Sequence, residues 1–250
     1  AGMVRRLTNC TQLRLENGQH QIEAGEIGGL AKLTSLYLNC SGGSQVTVNQ
    51  GEIGGLQALT YLVINSGAGI TIGAGEIPRA AGMTYLALNG HYAPFAGLTI
   101  AEGELASMTN LGECYLTCLP STVVIGASET AALTKITNLG LIGIPNLAFQ
   151  TGFDALAKLV GLTYINSLTQ AQVDNVLAQL YAGFATRTAS NGTINLSNYY
   201  SYYANAAPSG VYQAACPPDT GKEYAYELLN DSCDISSKHW STITVTGGLP

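Results

Sequence analysis

Five glutamates, Glu26, Glu52, Glu76, Glu104 and Glu129, recur at intervals of 24 to 28 residues, each four positions ahead of a run of spaced aliphatic side chains. If that interval is the period of a stacked structure, the carboxylates form a row about 5 Å apart. Such a row could hold calcium or another hard cation through paired oxygens. Carboxylates facing a cleft at about 5 to 9 Å could also carry glycoside hydrolysis. The structural reading weighs more, because each Glu opens a short helical turn whose exposed amides attract negative charge. No Asp-rich loop adds further ligands. The expectation is therefore no metal and no cofactor, with the glutamate row as the one weak candidate.

A second set of residues suits recognition. Alternation along each extended segment puts Tyr37 with Asn39, Tyr61 with Asn65, Tyr85 with Asn89, and Glu113 with Tyr115 on one surface, while the leucines between them point inward. Rigid amphipathic tyrosines beside Asn suit a surface that binds protein or carbohydrate. They equally suit a half-exposed sheet, where aromatic cross-strand pairs are stabilising.

A third set lies in the C-terminal segment, where Tyr199, Tyr200, Tyr202, Tyr203, Tyr212 and Trp240 could anchor a subunit interface. They could instead close the apolar end of a repeat array. Cys216 and Cys233 lie here too. A bridge between them would close a loop of about 17 residues and contribute on the order of 3 kcal/mol; two reduced thiols are the alternative. Asp231 and Asp234 flank Cys233 in a stretch that reads as a turn rather than a metal loop. Cys10 and Cys114 fall on core positions, and Cys40 and Cys118 share a register too far apart to pair. His20, His91 and His239 stand away from any cysteine cluster, which argues against zinc.

No GxSxG elbow, HExxH pair or dinucleotide loop is found, and the TGK at Thr220 lacks the earlier glycine of a phosphate loop. Ten Lys and Arg scattered among 250 residues, with a net charge of −6, exclude a surface that tracks phosphates. No apolar run approaches eighteen residues, so neither a membrane span nor a retained leader is expected. The AGMVRR opening reads as a processed or trimmed end.

The elements that must position these residues are repeats. The ladders begin at Leu7 (LTNCTQLRLE), Leu30 (LAKLTSLYLN), Leu56 (LQALTYLVIN), Ala80 (AAGMTYLALN), Met108 (MTNLGECYLT), Leu133 (LTKITNLGLI) and Leu156 (LAKLVGLTYI). A shorter apolar beat follows at Val46 and Val48, Ile70 and Ile72, Leu98 and Ile100, Val123 and Ile125, and Leu147 and Phe149. A third precedes the next ladder at Ile27, Ile53, Ile77 and Leu105, as a single helical turn. One coil cannot bury these positions alone, so neighbours must stack. After the last ladder, Thr169 with Gln172 forms a capping box, Val173, Val176, Leu177 and Leu180 recur at helical spacing, and Gly183 stops a helix over 169–183 that is expected to cover the open end.

Ladder and spacing resemble a leucine-rich repeat over about two thirds of the chain. The family places Asn three positions after its last leucine, inside the turn; here Asn39, Asn65 and Asn89 follow an aliphatic residue directly and point outward. The tail, with LTQAQVDNVLAQL, NAAPSG, PPDTGKEYAYELLND and a late Trp, is similar to the ends of leucine-rich-repeat-like proteins encoded by tailed bacteriophages and environmental bacteria. That likeness implies a virion or surface protein.

The fold expected is an α/β repeat solenoid, a right-handed coil of short parallel strands with brief helical turns over 1–167, followed by a capping segment over 168–250 that holds the helix, a short strand at TINLSN, tyrosine-rich loops and a final strand at STITVTG. The function expected is non-enzymatic: a structural or binding component of a bacteriophage virion or other extracellular assembly. Its partners would be other virion or surface proteins, a host receptor or glycan, or a second copy of the chain, with no nucleic acid and no membrane insertion. A bacterial adhesion module is the first alternative and a carbohydrate-active enzyme the second.

Overall fold

The computed structural model describes residues 7–16, 20–40, 46–67, 70–72, 75–77, 81–90, 100, 103–117, 123–125, 127–144, 147–148, 152–199 and 203–249. Ala80, His91, Leu98, Cys118, Phe149, Tyr200 and Tyr202 lie outside them, as do the side chains of His20, Val123 and Tyr199. The chain forms two compact units, 1–133 with 144–149, and 134–143 with 150–250.

In the first unit each ladder becomes one strand: β1 (Gln12–Glu16), β3 (Ser35–Cys40), β5 (Tyr61–Ser66), β7 (Tyr85–Gly90) and β8 (Glu113–Thr117). They pair in that order, all parallel. The register is the one the repeat demands, with Leu36 opposite Leu62, Leu62 opposite Leu86 and Leu86 opposite Cys114. All four are fully buried. Period-2 alternation sends these side chains into a common core, where each buried aliphatic residue contributes roughly 1.5–3 kcal/mol. Burial also pushes the Cys114 thiol up to about 12, so it behaves as a small hydrophobe. Cys10 is only half-buried and donates its S–H to the Gln12 carbonyl.

The second beat forms a narrow parallel sheet of β2 (His20–Ile22), β4 (Val46–Val48) and β6 (Ile70–Ile72). Further along, β9 (Val123–Val124) pairs in parallel with β11 (Leu147–Ala148). The third beat is a single tight turn in which the amides of Leu30, Leu56 and Met108 donate to the carbonyls of Ile27, Ile53 and Leu105. Among the described residues, the turn holding Glu129 is the one that lengthens into a helix, α1 (Ala127–Ala132).

The second unit continues the same construction with β10 (Asn138–Ile142), β12 (Gly161–Ile165), β13 (Gly192–Leu196) and β16 (Trp240–Val245), again all parallel. A short antiparallel pair, β14 (Asn198–Tyr199) with β15 (Tyr203–Ala204), lies between the last two in sequence. The C-terminal segment adds two strands to the sheet of the last ladders instead of standing apart as a cap.

The expected helix is α2 (Gln170–Ala182), with the Thr169–Gln172 capping box and Gly183 at its C-cap. It does not cover an open end. It is the return path from β12 to β13, and its buried Val173, Val176, Leu177 and Leu180 sit in a helix packed on α3 (Gly221–Asn230) and the 3₁₀ turns 153–155 and 184–186. Parallel strands need such a crossover. Among the described residues no helix is long and apolar enough to cross a membrane.

Candidate binding face

Strand register turns the outward side chains of the first unit into three rows. One runs Gln12, Ser35, Tyr61, Tyr85, Glu113; the next Arg14, Tyr37, Val63, Ala87, Tyr115; the third Glu16, Asn39, Asn65, Asn89, Thr117. The seven Tyr and Asn residues singled out by alternation therefore share one surface. Tyr61 and Tyr85 stack with centroids 4.7 Å apart and planes 18° from parallel. Tyr85 and Tyr115 meet obliquely at 5.8 Å. The Tyr115 hydroxyl donates to Glu113 Oε2 at 2.8 Å. At the other end the Arg14 guanidinium lies 4.4 Å over the Tyr37 ring and is paired with Glu16 at 2.6 Å. The Asn89 amide donates to Asn65 Oδ1 at 2.8 Å, and Asn65 reaches the Tyr37 hydroxyl at 3.4 Å.

The middle of this face is small and apolar. Val63 and Ala87 point outward yet are only 5% and 2% exposed, because the larger rows on either side overhang them. Burial, reinforced by Glu113, pushes the Tyr115 phenol up to about 12. Tyr85 shifts the same way for the same leading reason. The centre is thus a neutral array of hydroxyls, ring edges and carboxamides, with charge confined to Arg14, Glu16 and Glu113 at its margins. An array of this kind meets a partner through neutral hydrogen bonds and shape.

The glutamate row follows the structural reading, carboxylates meeting turn amides, with one difference: the amides belong to the preceding coil and not to the turn each Glu opens. Glu52, Glu76, Glu104 and Glu129 are at most 3% exposed, and their carboxylates reach back to turn amides of the preceding coil. Glu52 accepts from Gly25, from Ile27 at 2.7 Å and from Gly28 at 2.9 Å. Glu76 repeats the pattern on Gly51, Ile53 and Gly54. Glu104 accepts from Gly75 at 3.1 Å and Glu129 from Gly103. Glu26 is half-buried and takes the Glu23 amide at 3.2 Å. In Glu52 and Glu76 both oxygens are occupied by N–H donors of the preceding coil, which makes these carboxylates a staple between coils.

The same geometry explains the glycines of the motif. Gly25, Gly51, Gly75 and Gly103 hold φ between 75° and 89°, the left-handed turn that presents successive amides to the carboxylate. A Cβ on Gly28 or Gly54 would come within 2.5 or 2.3 Å of the next coil's carbonyl.

Among the described residues of the second unit, three of the aromatic residues expected at an interface have partners within that unit. Trp240 is 3% exposed, beneath Arg187, so it is core and not an anchor. Tyr203 packs against Gly143, and Tyr212 meets Tyr226 edge-on at 5.0 Å. Cys216 and Cys233 form a disulfide. Glu227 lies beside it, but with the sulfurs joined and its carboxylate accepting from Ala215, Ser232 and Cys233, this cluster is a cross-link and not a metal centre. Asp231 caps a turn by accepting from Ile235 and Ser236.

Sequence reasoning missed several buried polar residues, Asn205 and Arg187 among them. Neither recurs with the period, so no pattern marked them.

No protein-family profile and no curated protein matches the chain. Among solved structures it is similar to an internalin from Listeria monocytogenes, at 13% identity over 76% of each chain with a TM-score of 0.23. That overlap is too small to carry inference. The leucine-rich-repeat-like architecture rests instead on the parallel registers and buried ladders above, and none of these matches bears on the phage likeness of the tail.

Proposed function

We propose that this chain is a non-enzymatic binding component of an extracellular assembly, and that the outward face of β1, β3, β5, β7 and β8 is its contact surface. The observation that carries this reading is the stacked Tyr61–Tyr85 pair beside the Asn65–Asn89 hydrogen bond, set around the Val63–Ala87 floor on strands stapled coil to coil. Its side chains are ordered before any partner arrives, so binding loses little rotamer freedom.

The finer reading is a virion protein, for which the support is the resemblance of the C-terminal segment to phage-encoded proteins. A bacterial surface module that binds protein or glycan through the same face is the alternative favoured by the Tyr and Asn chemistry. Mass spectrometry of purified particles from the source, checking for this chain at fixed stoichiometry with capsid or tail proteins, separates the two. Absence from particles sinks the virion reading.

The face itself is tested by Tyr61→Ala and Tyr85→Ala, assayed against the co-purifying particle protein or a printed array of bacterial surface glycans. Each should weaken binding at least tenfold, the behaviour of a central aromatic contact. Each should lower stability by only about 0.5–1.5 kcal/mol, the worth of an aromatic pair. Unchanged affinity in both variants would remove the face from the proposal.

A further inference from the structure

Arg187 follows the 3₁₀ turn 184–186 and is 7% exposed. Its guanidinium lies 3.7 Å over the ring of Trp240, the first residue of β16. Nη1 donates to the carbonyls of Lys238 and His239, and Nη2 to that of Leu159 at 3.2 Å. All three acceptors are neutral backbone. Among the described residues no carboxylate pairs with Arg187, and desolvation alone accounts for the lowering of its pKa to about 10. A buried cation without a counter-charge is costly.

Three buried polar atoms in this corner have no hydrogen-bond partner: Arg187 Nε, Trp240 Nε1 and His239 Nδ1. The first two are N–H groups that can only donate. Buried donors are rarely left unpaired, and two of them on stacked side chains imply an occupant that accepts. Water would accept, but it brings two protons of its own. Water also carries no charge to set against the guanidinium. A monatomic anion accepts from every side, donates nothing and supplies the missing charge.

We propose that Arg187 Nε and Trp240 Nε1, with His239 Nδ1 at the margin, bind a halide ion of chloride size inside the second unit. The site joins the turn after α2 to the start of β16, so its occupancy couples to pairing of the last strand, whose register with β13 shifts at Gly192.

The test uses the full chain crystallised with sodium bromide and diffraction collected at the bromine edge. The expected result is an anomalous peak within hydrogen-bond distance of both Arg187 Nε and Trp240 Nε1. A non-anomalous water at that position, or no density, overturns the proposal. In solution, the melting temperature should rise saturably with chloride or bromide relative to gluconate at equal ionic strength. Trp240→Phe keeps the ring and deletes the donor, and should weaken halide binding at least tenfold. Equal melting in chloride and gluconate counts against the site. If the variant does not fold, the bromide experiment on the native chain decides.

Discussion

Glu52→Ala and Glu76→Ala each lower the free energy of unfolding by about 3 to 5 kcal/mol, the range for removing one partner of a buried charged contact. The reason is local. Glu52 satisfies the amides of Gly25, Ile27 and Gly28, and alanine leaves three donors facing a vacated pocket. The Ile27 amide, bonded at a buried site, has the least access to replacement water. Glu52→Gln keeps one carbonyl oxygen but turns an NH₂ group toward an N–H donor, so it should lose roughly half as much. Glu23→Ala is the control. Glu23 is exposed, bonds Asn49 at 3.2 Å across the surface, and should change stability by less than about 0.5 kcal/mol. Urea unfolding followed by circular dichroism reads all four. Equal midpoints for the Glu52, Glu76 and Glu23 variants would refute the staple.

The second large effect is expected at Asn205. Its side chain is 2% exposed and makes four hydrogen bonds. Oδ1 accepts from Asn166 and Leu168 at 3.0 and 2.9 Å; Nδ2 donates to the Tyr164 and Leu196 carbonyls at 2.6 and 3.1 Å. It ties the ends of β12 and β13 to the turn that launches α2. Asn205→Ala should cost about 3 to 4 kcal/mol. Asn205→Asp keeps the shape but sets an acceptor against two carbonyls, so it should be at least as damaging. A loss below about 1 kcal/mol for both would mean that the turn finds its partners elsewhere.

Asn205 also shows how far the pattern could be read. The outward Asn39, Asn65 and Asn89 were legible from alternation alone, and so was the register that stacks Leu36, Leu62 and Leu86, because period 2 and the repeat length leave no other arrangement that buries them. Thr169, Gln172 and Gly183 marked α2 correctly, since capping is chemistry local to a few residues. Spacing likewise exposed the glutamates, but not their partners. Nothing in one coil says that its carboxylate serves the amides of the coil before it. A glutamate from the next coil bonds the turn backbone, while Asn39, Asn65 and Asn89 lie on the outward face.

Elsewhere the sequence misled for physical reasons. Trp240 looked like an anchor because aromatic residues crowd the tail, yet its ring is consumed by Arg187 across a sequence gap that no local rule spans. The strands at TINLSN and STITVTG were legible from alternation and are β13 and β16, but their place in the parallel sheet was not, because their returns carry full helices and not the short turns of the earlier coils.

Coils of the first unit share a core and satisfy one another's turns. Amide hydrogen exchange resolved at Gly25, Ile27, Gly28, Ile53 and Gly54 tests this directly. These amides belong to turns, outside any strand, yet they should be protected alongside the strand amides of Leu62 and Leu86, and should lose protection in Glu52→Ala or Glu76→Ala according to which coil each glutamate serves. Exchange at the rate of an unstructured turn in the native chain would contradict the stapled solenoid and the rigid face that depends on it.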